Sequence, residues 1–350
     1  MRNVAELKTV PPFSVVIPTR DMVDDLKLLL QSLADAGLHS MAKEVIVVDD
    51  GSIDRTLQTM SELEGLPEWK GILKTLRLNP AQGRFEARRS GAKAATAELV
   101  LFIDSRVTIP THFGRELADL LQTHRAIMGM THIEVRKSIY NLYWERTHQT
   151  FFRSHYRDVK TGFLLTPENF DQYGKGTTLL LLDQPRFLKI CDRMTPEEAQ
   201  FSDDTFLLGE YVKEEPVFVS DKCSYTWEPR QTMVSFLHRI YERGQNFAYN
   251  HWLHERTRFT IPSIFALVFA VIGTGAIAIV LHSVMVAILL GFLALALSTV
   301  LFTRNPIEIL KLVVLHVLTL LTFGVGALNA AFKAFWERLL GNPLKEGSQK

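Results

Sequence analysis

Residues 44–50 read EVIVVDD: four β-branched apolar residues in a row, closed by two acids. A run apolar on both faces is the pattern of a buried parallel strand, and polar residues at its carboxyl end stand where such sheets bind ligands. Reading outward, Phe13–Thr19 (FSVVIPT) is a second short apolar run. Between the two, Met22, Leu26, Leu29, Leu30 and Leu33 recur at helical spacing, with Asp21 placed to cap the helix and Gly37 to stop it. Downstream, Ser52 or Asp54 opens a helix that turns Leu57 and Met60 inward, and 72–78 is a third strand. Gly83–Ala97 is a helix rich in Ala and Arg, and 98–104 (ELVLFID) is a fourth strand. The order βαβαβαβ predicts an α/β fold, Rossmann-like, with a mostly parallel sheet and helices on both faces. Thr19, Arg20, Asp49, Asp50 and Asp104 all fall at carboxyl ends of strands, and form a site if those ends converge.

The composition narrows the class. The 350 residues hold 39 Lys and Arg against 38 Asp and Glu, a net charge of +1. No basic excess is available to neutralise phosphates, so a nucleic-acid coat is excluded. A hydrophobic fraction of 47% excludes a largely disordered chain. Two cysteines, Cys191 and Cys223, exclude a disulfide framework and a thiolate zinc site.

Four stretches in order carry a family resemblance: VVIPTR (15–20), VVDDGSIDRT (47–56), GRFEARRSGAKAATAELVLFIDSR (83–106) and GTTLLLLDQPRFLKICDRMTPEEAQFSDD (176–204). Together they resemble the family 2 glycosyltransferases of GT-A fold, over roughly residues 13–245. The resemblance implies transfer of a sugar from a nucleotide donor, UDP- or GDP-linked. It implies that Pro18, Thr19 and Arg20 line the donor site and that Asp49 and Asp50 hold the base and ribose. Arg84 and Arg88 are i, i+4 on one helix face and can clamp a diphosphate; a solvated helix face is the alternative. Asp104 matches the first acid of the family's Asp-x-Asp motif, which holds Mn²⁺ or Mg²⁺ against the diphosphate. The third position is Arg106, which cannot ligate a cation. Either Asp104 holds the metal with another donor, or Arg106 itself offsets charge on the leaving diphosphate.

Asp203 and Asp204 resemble the acid pair of inverting members, the second being the general base toward the acceptor hydroxyl. Adjacent carboxylates raise each other's pKa, which suits a base near neutral pH; acidic capping of a helix is the alternative. An ionised polyprenyl phosphate needs no base, so the pair favours a hydroxyl acceptor. Gln231 is not followed by Arg-Trp, unlike the signature of processive polysaccharide synthases, so single transfer is expected. Tyr140–Tyr156 is dense in aromatics and bases, read as helix packing before an acceptor groove, and His251 and His254 receive no role.

The C-terminal third is of another kind. Between Arg258 and Arg304 stand 45 residues without Asp, Glu, Lys or Arg. One membrane helix needs about 20 apolar residues, so spans are expected near 262–281 and 284–303, broken at His282-Ser283. A further uncharged run, 312–332, is a third span or a re-entrant segment. The tail carries Lys333, Arg338, Lys345 and Lys350 against Glu337 and Glu346, which by the positive-inside tendency belongs in the cytoplasm. Residues 1–303 balance at −2, so attraction to a membrane must come from local patches. Met233, Phe236, Leu237, Ile240 and Tyr241 predict an amphipathic helix lying among headgroups, flanked by Phe247, Tyr249 and Trp252. No apolar run before the first strand is long enough for a signal peptide. The expected organisation is a catalytic domain over 1–230, an interfacial helix region over 231–260, two or three transmembrane helices over 261–335 and a polar tail over 336–350. This describes a multi-pass membrane protein with its catalytic domain on the cytoplasmic face. Its partners are a nucleotide sugar and a membrane lipid or lipid-linked acceptor.

Overall fold

The computed structural model describes residues 10–201, 203–254, 260–265, 272, 273, 276, 279 and 283–339. The chain divides into two compact units, one of residues 1–133 with 154–228 and one of 134–153 with 229–350.

The first unit is built on one sheet. Its strands are β1 (Phe13–Thr19), β2 (Glu44–Asp49), β3 (Leu73–Arg77), β4 (Leu99–Ile103), β5 (Val107–Thr108), β6 (Ile127–His132), β7 (Phe163–Leu165), β8 (Leu179–Asp183) and β9 (Val217–Trp227). The order is β3-β2-β1-β4-β8-β6-β9-β5, with β7 on β9. The four strands read from the sequence pair in parallel, as expected of buried β-branched runs joined by helices. Beyond them β4 meets β8 antiparallel, β8 meets β6 antiparallel, and β6 meets β9 in parallel. The sheet is therefore mixed from β4 onward, and β8 carries the second half of the domain back alongside β4.

Both faces are covered. Val15, Ile17, Val45, Val47, Leu99 and Leu101 pack with Leu26, Leu29, Leu30 and Leu33 of the helix Val23–Asp35 and with Phe113 and Leu117. The alternate residues Val16, Ile46, Val48, Val100 and Phe102 pack on the other side with Phe85, Ala87 and Ala92 of the helix Arg84–Ala94 and with Phe187, Ile190 and Tyr211. Period-2 alternation of Cβ directions produces the two layers. The Arg84–Ala94 helix lies close on the sheet because of Gly91: a Cβ there would stand 2.4 Å from Val16 Cγ1 and 2.9 Å from Val48 Cγ2. That approach brings Arg88, one turn earlier, down to the strand ends.

Asp21 does not cap the helix that follows it. It holds φ 52°, its Oδ1 accepts from Ile53 N (2.8 Å), and the helix's first amide, Val23 N, donates to Asp54 Oδ2 at 3.3 Å instead. Asp54 Oδ1 also accepts from Thr56 N and Thr56 Oγ1, opening the helix Thr56–Glu64. One exposed carboxylate thus organises the starts of two helices, a long-range cap that helical periodicity does not encode.

Glu44, at the start of β2 and 2% exposed, is the chief buried charge at the opposite end of the sheet. Burial raises a carboxyl's pKa, but Lys74 Nζ (2.6 Å), Thr96 N and Oγ1 (2.7 Å each) and Ser14 Oγ (2.8 Å) more than offset it, holding Glu44 down to about 2. A depressed carboxyl contributes stability that is present above its unfolded value, near 4.5, and is lost as pH falls toward 2. Glu44→Gln is expected to lower unfolding stability at pH 7 by roughly 2 kcal/mol. It also flattens the acid limb between those two values, as read by thermal unfolding across pH.

The second unit is helical: Ile139–Phe151, Met233–Ala248, Val284–Leu297 and Pro306–Leu339, with a π-type turn at Tyr249–His254. The predicted interfacial helix forms at Met233–Ala248, but Met233 is 37% exposed and the closed stripe is Phe236, Ile240, Gly244 and Ala248. This stripe meets the helix Pro306–Leu339. Cβ atoms built on Gly244 and Gly326 would each stand 2.2 Å from a backbone oxygen, of Phe323 and Tyr241 respectively, so the two backbones touch where both chains lack a side chain.

Tyr143 and Trp144 of the helix Ile139–Phe151 are buried beside Phe236, and Tyr143 OH bonds His316 Nδ1 at 3.1 Å. Arg146 forks onto Glu308 through Nε (2.8 Å) and Nη2 (2.6 Å), and Arg243 lies over the Trp144 ring at 4.3 Å. Tyr143 and Trp144 of the aromatic stretch are therefore packing residues, and residues 134–153 belong to this unit rather than to the first.

Among the described residues, two helices are long and apolar enough to cross a membrane by length and composition, Val284–Leu301 and Pro306–Trp336. The run 312–332 lies inside one unbroken helix of 34 residues, about 51 Å at 1.5 Å per residue. It is not folded back on itself as a re-entrant segment would be. The expected span near 262–281 and most of the polar tail lie outside the described residues.

Candidate active site

Within the first unit the carboxyl ends of β1, β2 and β4 lie on one rim. At the β1–β2 end, Thr19 and Asp49 are register partners. Asp49 is fully enclosed. Its Oδ1 accepts from Ser52 N (3.0 Å), and its Oδ2 stands 3.7 Å from Arg77 Nε with no hydrogen bond among the described residues. Thr19 Oγ1 is likewise buried without one. Two buried polar atoms on register-partner residues thus go without a hydrogen bond among the described residues, a cost that marks this end of the rim. Asp50 is engaged differently: Oδ1 accepts from Gln82 N (2.6 Å) and Oδ2 from Gly83 N (2.9 Å). It anchors the loop that leads into the Arg84–Ala94 helix. Asp21 N donates to Ser52 Oγ at 2.9 Å, which ties the β1 loop to the β2 loop, and Arg20 is exposed beside it.

The centre of the site is a cluster that no single motif predicts. Arg88 is 4% exposed; its Nη2 donates to Asp104 Oδ1 at 3.0 Å and its Nη1 to Asp204 Oδ1 at 3.4 Å. Thr177 Oγ1 donates to the same Asp204 oxygen. Asp104 and Asp204 are 22% and 32% exposed, so the guanidinium lies beneath two carboxylates that reach the surface. Asp204 stands in the first turn of the helix Asp203–Glu214, where the positive end of the macrodipole also favours a carboxylate. Tyr225, buried on β9, bonds Thr131 Oγ1 at 2.5 Å. Burial pushes its phenol above the usual range, and the charges of Asp104 and Asp204 push the same way, so it stays neutral beside them. Arg106 is held over the Trp227 ring at 5.4 Å, while its backbone oxygen accepts from Glu228 N (3.0 Å).

The predicted residues thus divide. Asp104, Asp204 and Arg88 meet directly. Asp49 with Thr19 sits on the β1–β2 end of the rim, and Asp50 shapes a loop. Pro18 is inside β1, paired with Val48, and Arg84 opens the helix that carries Arg88. The Asp203 side chain lies outside the described residues. Thr177, Tyr225 and Trp227 were not anticipated, and Ser52 was read only as a helix opener. Only Thr177 had a signal, a polar residue just ahead of an apolar strand in GTTLLLLD.

A divalent cation fits these residues poorly. Among the described residues no three His, Cys, Asp or Glu side chains converge. Asp104 Oδ1 accepts from Arg88, and the next motif position is a guanidinium. One buried guanidinium, Arg88, thus stands against the carboxylate that a resident cation would need as a donor.

The class this architecture defines is an α/β fold with a candidate site at the strand ends, and the comparisons sharpen it. Residues 14–180 match the sequence model of a family described as "Glycosyl transferase family 2". The chain carries a family 2 glycosyltransferase domain. It is 33% identical over 115 residues to the poly(ribitol-phosphate) beta-N-acetylglucosaminyltransferase TarS of Staphylococcus aureus, 33% of this chain and 19% of that protein. It is 34% identical over 98 residues to the undecaprenyl-phosphate 4-deoxy-4-formamido-L-arabinose transferase of Pectobacterium carotovorum, 28% of this chain and 29% of that protein. The matched stretches span less than a third of either curated relative. In fold, the chain is similar to the mannosyltransferase PcManGT of Pyrobaculum calidifontis, solved with GDP-Man and Mn²⁺. The TM-score is 0.60 at 14% identity, over 93% of this chain and 88% of that one.

Proposed function

We propose that the protein is a membrane-anchored inverting glycosyltransferase. It moves one sugar from a UDP- or GDP-linked donor to a hydroxyl of a membrane-associated acceptor, a glycolipid or lipid-linked saccharide, at the cytoplasmic face. The observation that carries this reading is the meeting of Asp104 and Asp204 on one guanidinium, from strand and helix ends 100 residues apart in sequence. Asp204 takes the proton of the acceptor hydroxyl as that oxygen attacks the anomeric carbon. The bond from that carbon to the diphosphate oxygen breaks on the opposite face, so the configuration inverts. The donor's base and ribose are assigned to the β1–β2 end of the rim, where Thr19 and Asp49 are register partners. Arg106, with Arg84, offsets the charge gathering on the leaving diphosphate. Anchoring rests on the two apolar helices, whose outward residues, Met285, Leu289, Leu293 and Leu310 among them, are exposed in the chain alone and suit hydrocarbon.

A second reading is transfer to a polyprenyl phosphate, favoured by the similarity to the undecaprenyl-phosphate transferase. The product separates the two. Membranes containing the protein are incubated with radiolabelled UDP- and GDP-sugars, and the lipid extract is treated with mild acid. A glycoside on a hydroxyl survives and shows inverted anomeric configuration by NMR. A sugar released by mild acid as a phosphate ester supports the polyprenyl-phosphate reading and displaces the first.

A further inference from the structure

The transfer chemistry gives Asp204 and Asp104 their tasks but leaves Arg88 without one. As a donor ligand it would need to present its guanidinium to the diphosphate, yet it is 4% exposed beneath the two acids. Its terminal nitrogens are placed on carboxylates from two separate chain segments, at 3.0 and 3.4 Å. A guanidinium is planar, with its N–H groups in a fixed fork, so two carboxylates bonded to different nitrogens have their separation set. Lysine, a point charge on a flexible stem, holds neither angle nor spacing.

We infer that Arg88 is a positioning residue: it holds the base Asp204 at a set distance from Asp104, and so from the diphosphate side of the site, and touches neither sugar nor acceptor. Thr177, whose hydroxyl donates to Asp204 Oδ1, completes the same brace from β8's approach. The inference rests on the reading of Asp204 as base. It explains why the Arg84–Ala94 helix needs a glycine at position 91. Without the close approach to Val16 and Val48, the guanidinium would not sit beneath the acids.

The test is steady-state kinetics on the full chain in membranes, with donor affinity measured separately by nucleotide binding. The variants are Arg88→Lys, Thr177→Val, Asp204→Asn and the pair Arg88→Lys with Asp204→Asn. A base misplaced by an ångström loses about 10²-fold, so Arg88→Lys is expected to lower kcat by about that factor while donor affinity changes by less than about twofold. Thr177→Val, which keeps both ion pairs and carries the test if the lysine variant does not fold, loses kcat in the same direction by about tenfold. Groups acting as one unit are not additive; with Asp204 already Asn, Arg88→Lys costs no more than about a further twofold. A loss confined to donor affinity, or full additivity in the pair, overturns the inference and makes Arg88 a donor ligand. Those results leave Asp204 as base. Undiminished turnover by Asp204→Asn would instead remove the base reading itself.

Discussion

Asp204→Asn is expected to lower kcat by about 10³-fold while donor affinity holds, since general-base catalysis contributes about 10²–10⁴-fold. The asparagine keeps the shape of the side chain and an oxygen for Thr177 and Arg88, so the brace persists and the proton acceptor is lost. The measurement is turnover of the nucleotide sugar alongside calorimetric binding of the free nucleotide. A protein that only senses nucleotide sugars would show no turnover in either form, and an enzyme with a phosphate acceptor would lose little, because that nucleophile arrives ionised.

Arg106→Ala is expected to cost about 10²–10³-fold in kcat, the scale seen when one preorganised donor is removed from a developing charge. The reason lies in where Arg106 stands. It takes the position of a carboxylate in the family's motif, half-buried, with its guanidinium held against Trp227. A cation held on an aromatic face has little freedom left to lose when the diphosphate departs. The same variant tests the charge argument: free nucleotide diphosphate binds more weakly to it, and chelator changes wild-type nucleotide binding by less than about twofold. Strict dependence of wild-type nucleotide affinity on Mn²⁺ would return the diphosphate's charge to a metal and strip Arg106 of its part.

The four parallel strands and their helices were legible because each is written locally, in β-branched runs of period two and leucines of period 3.6. The antiparallel entry of β8 was not. LLLLD reads as apolar in either direction, and only the chain's route past β4 decides it. Strand-end acids were legible as a group, yet their division of labour was not. Asp49 and Asp50 look alike in VVDDG, but the turn at Gly51 folds Asp49 onto Ser52 while Asp50 reaches across to Gln82 and Gly83. The stripe on Met233–Ala248 was visible as amphipathic, and its partner was not. A helix face that suits headgroups suits another helix equally when glycines allow the backbones to touch.

Taken alone, then, the amino-acid order determined that this protein has an α/β sheet with acids at its strand ends and an apolar C-terminal third, since periodicity and run length are local properties. Tertiary structure decided that Arg88 lies under two acids, that Thr177 joins them, and that Asp49 faces inward beside Thr19. Such meetings join segments from 16 to 116 residues apart, at distances that packing sets and spacing in the chain does not record.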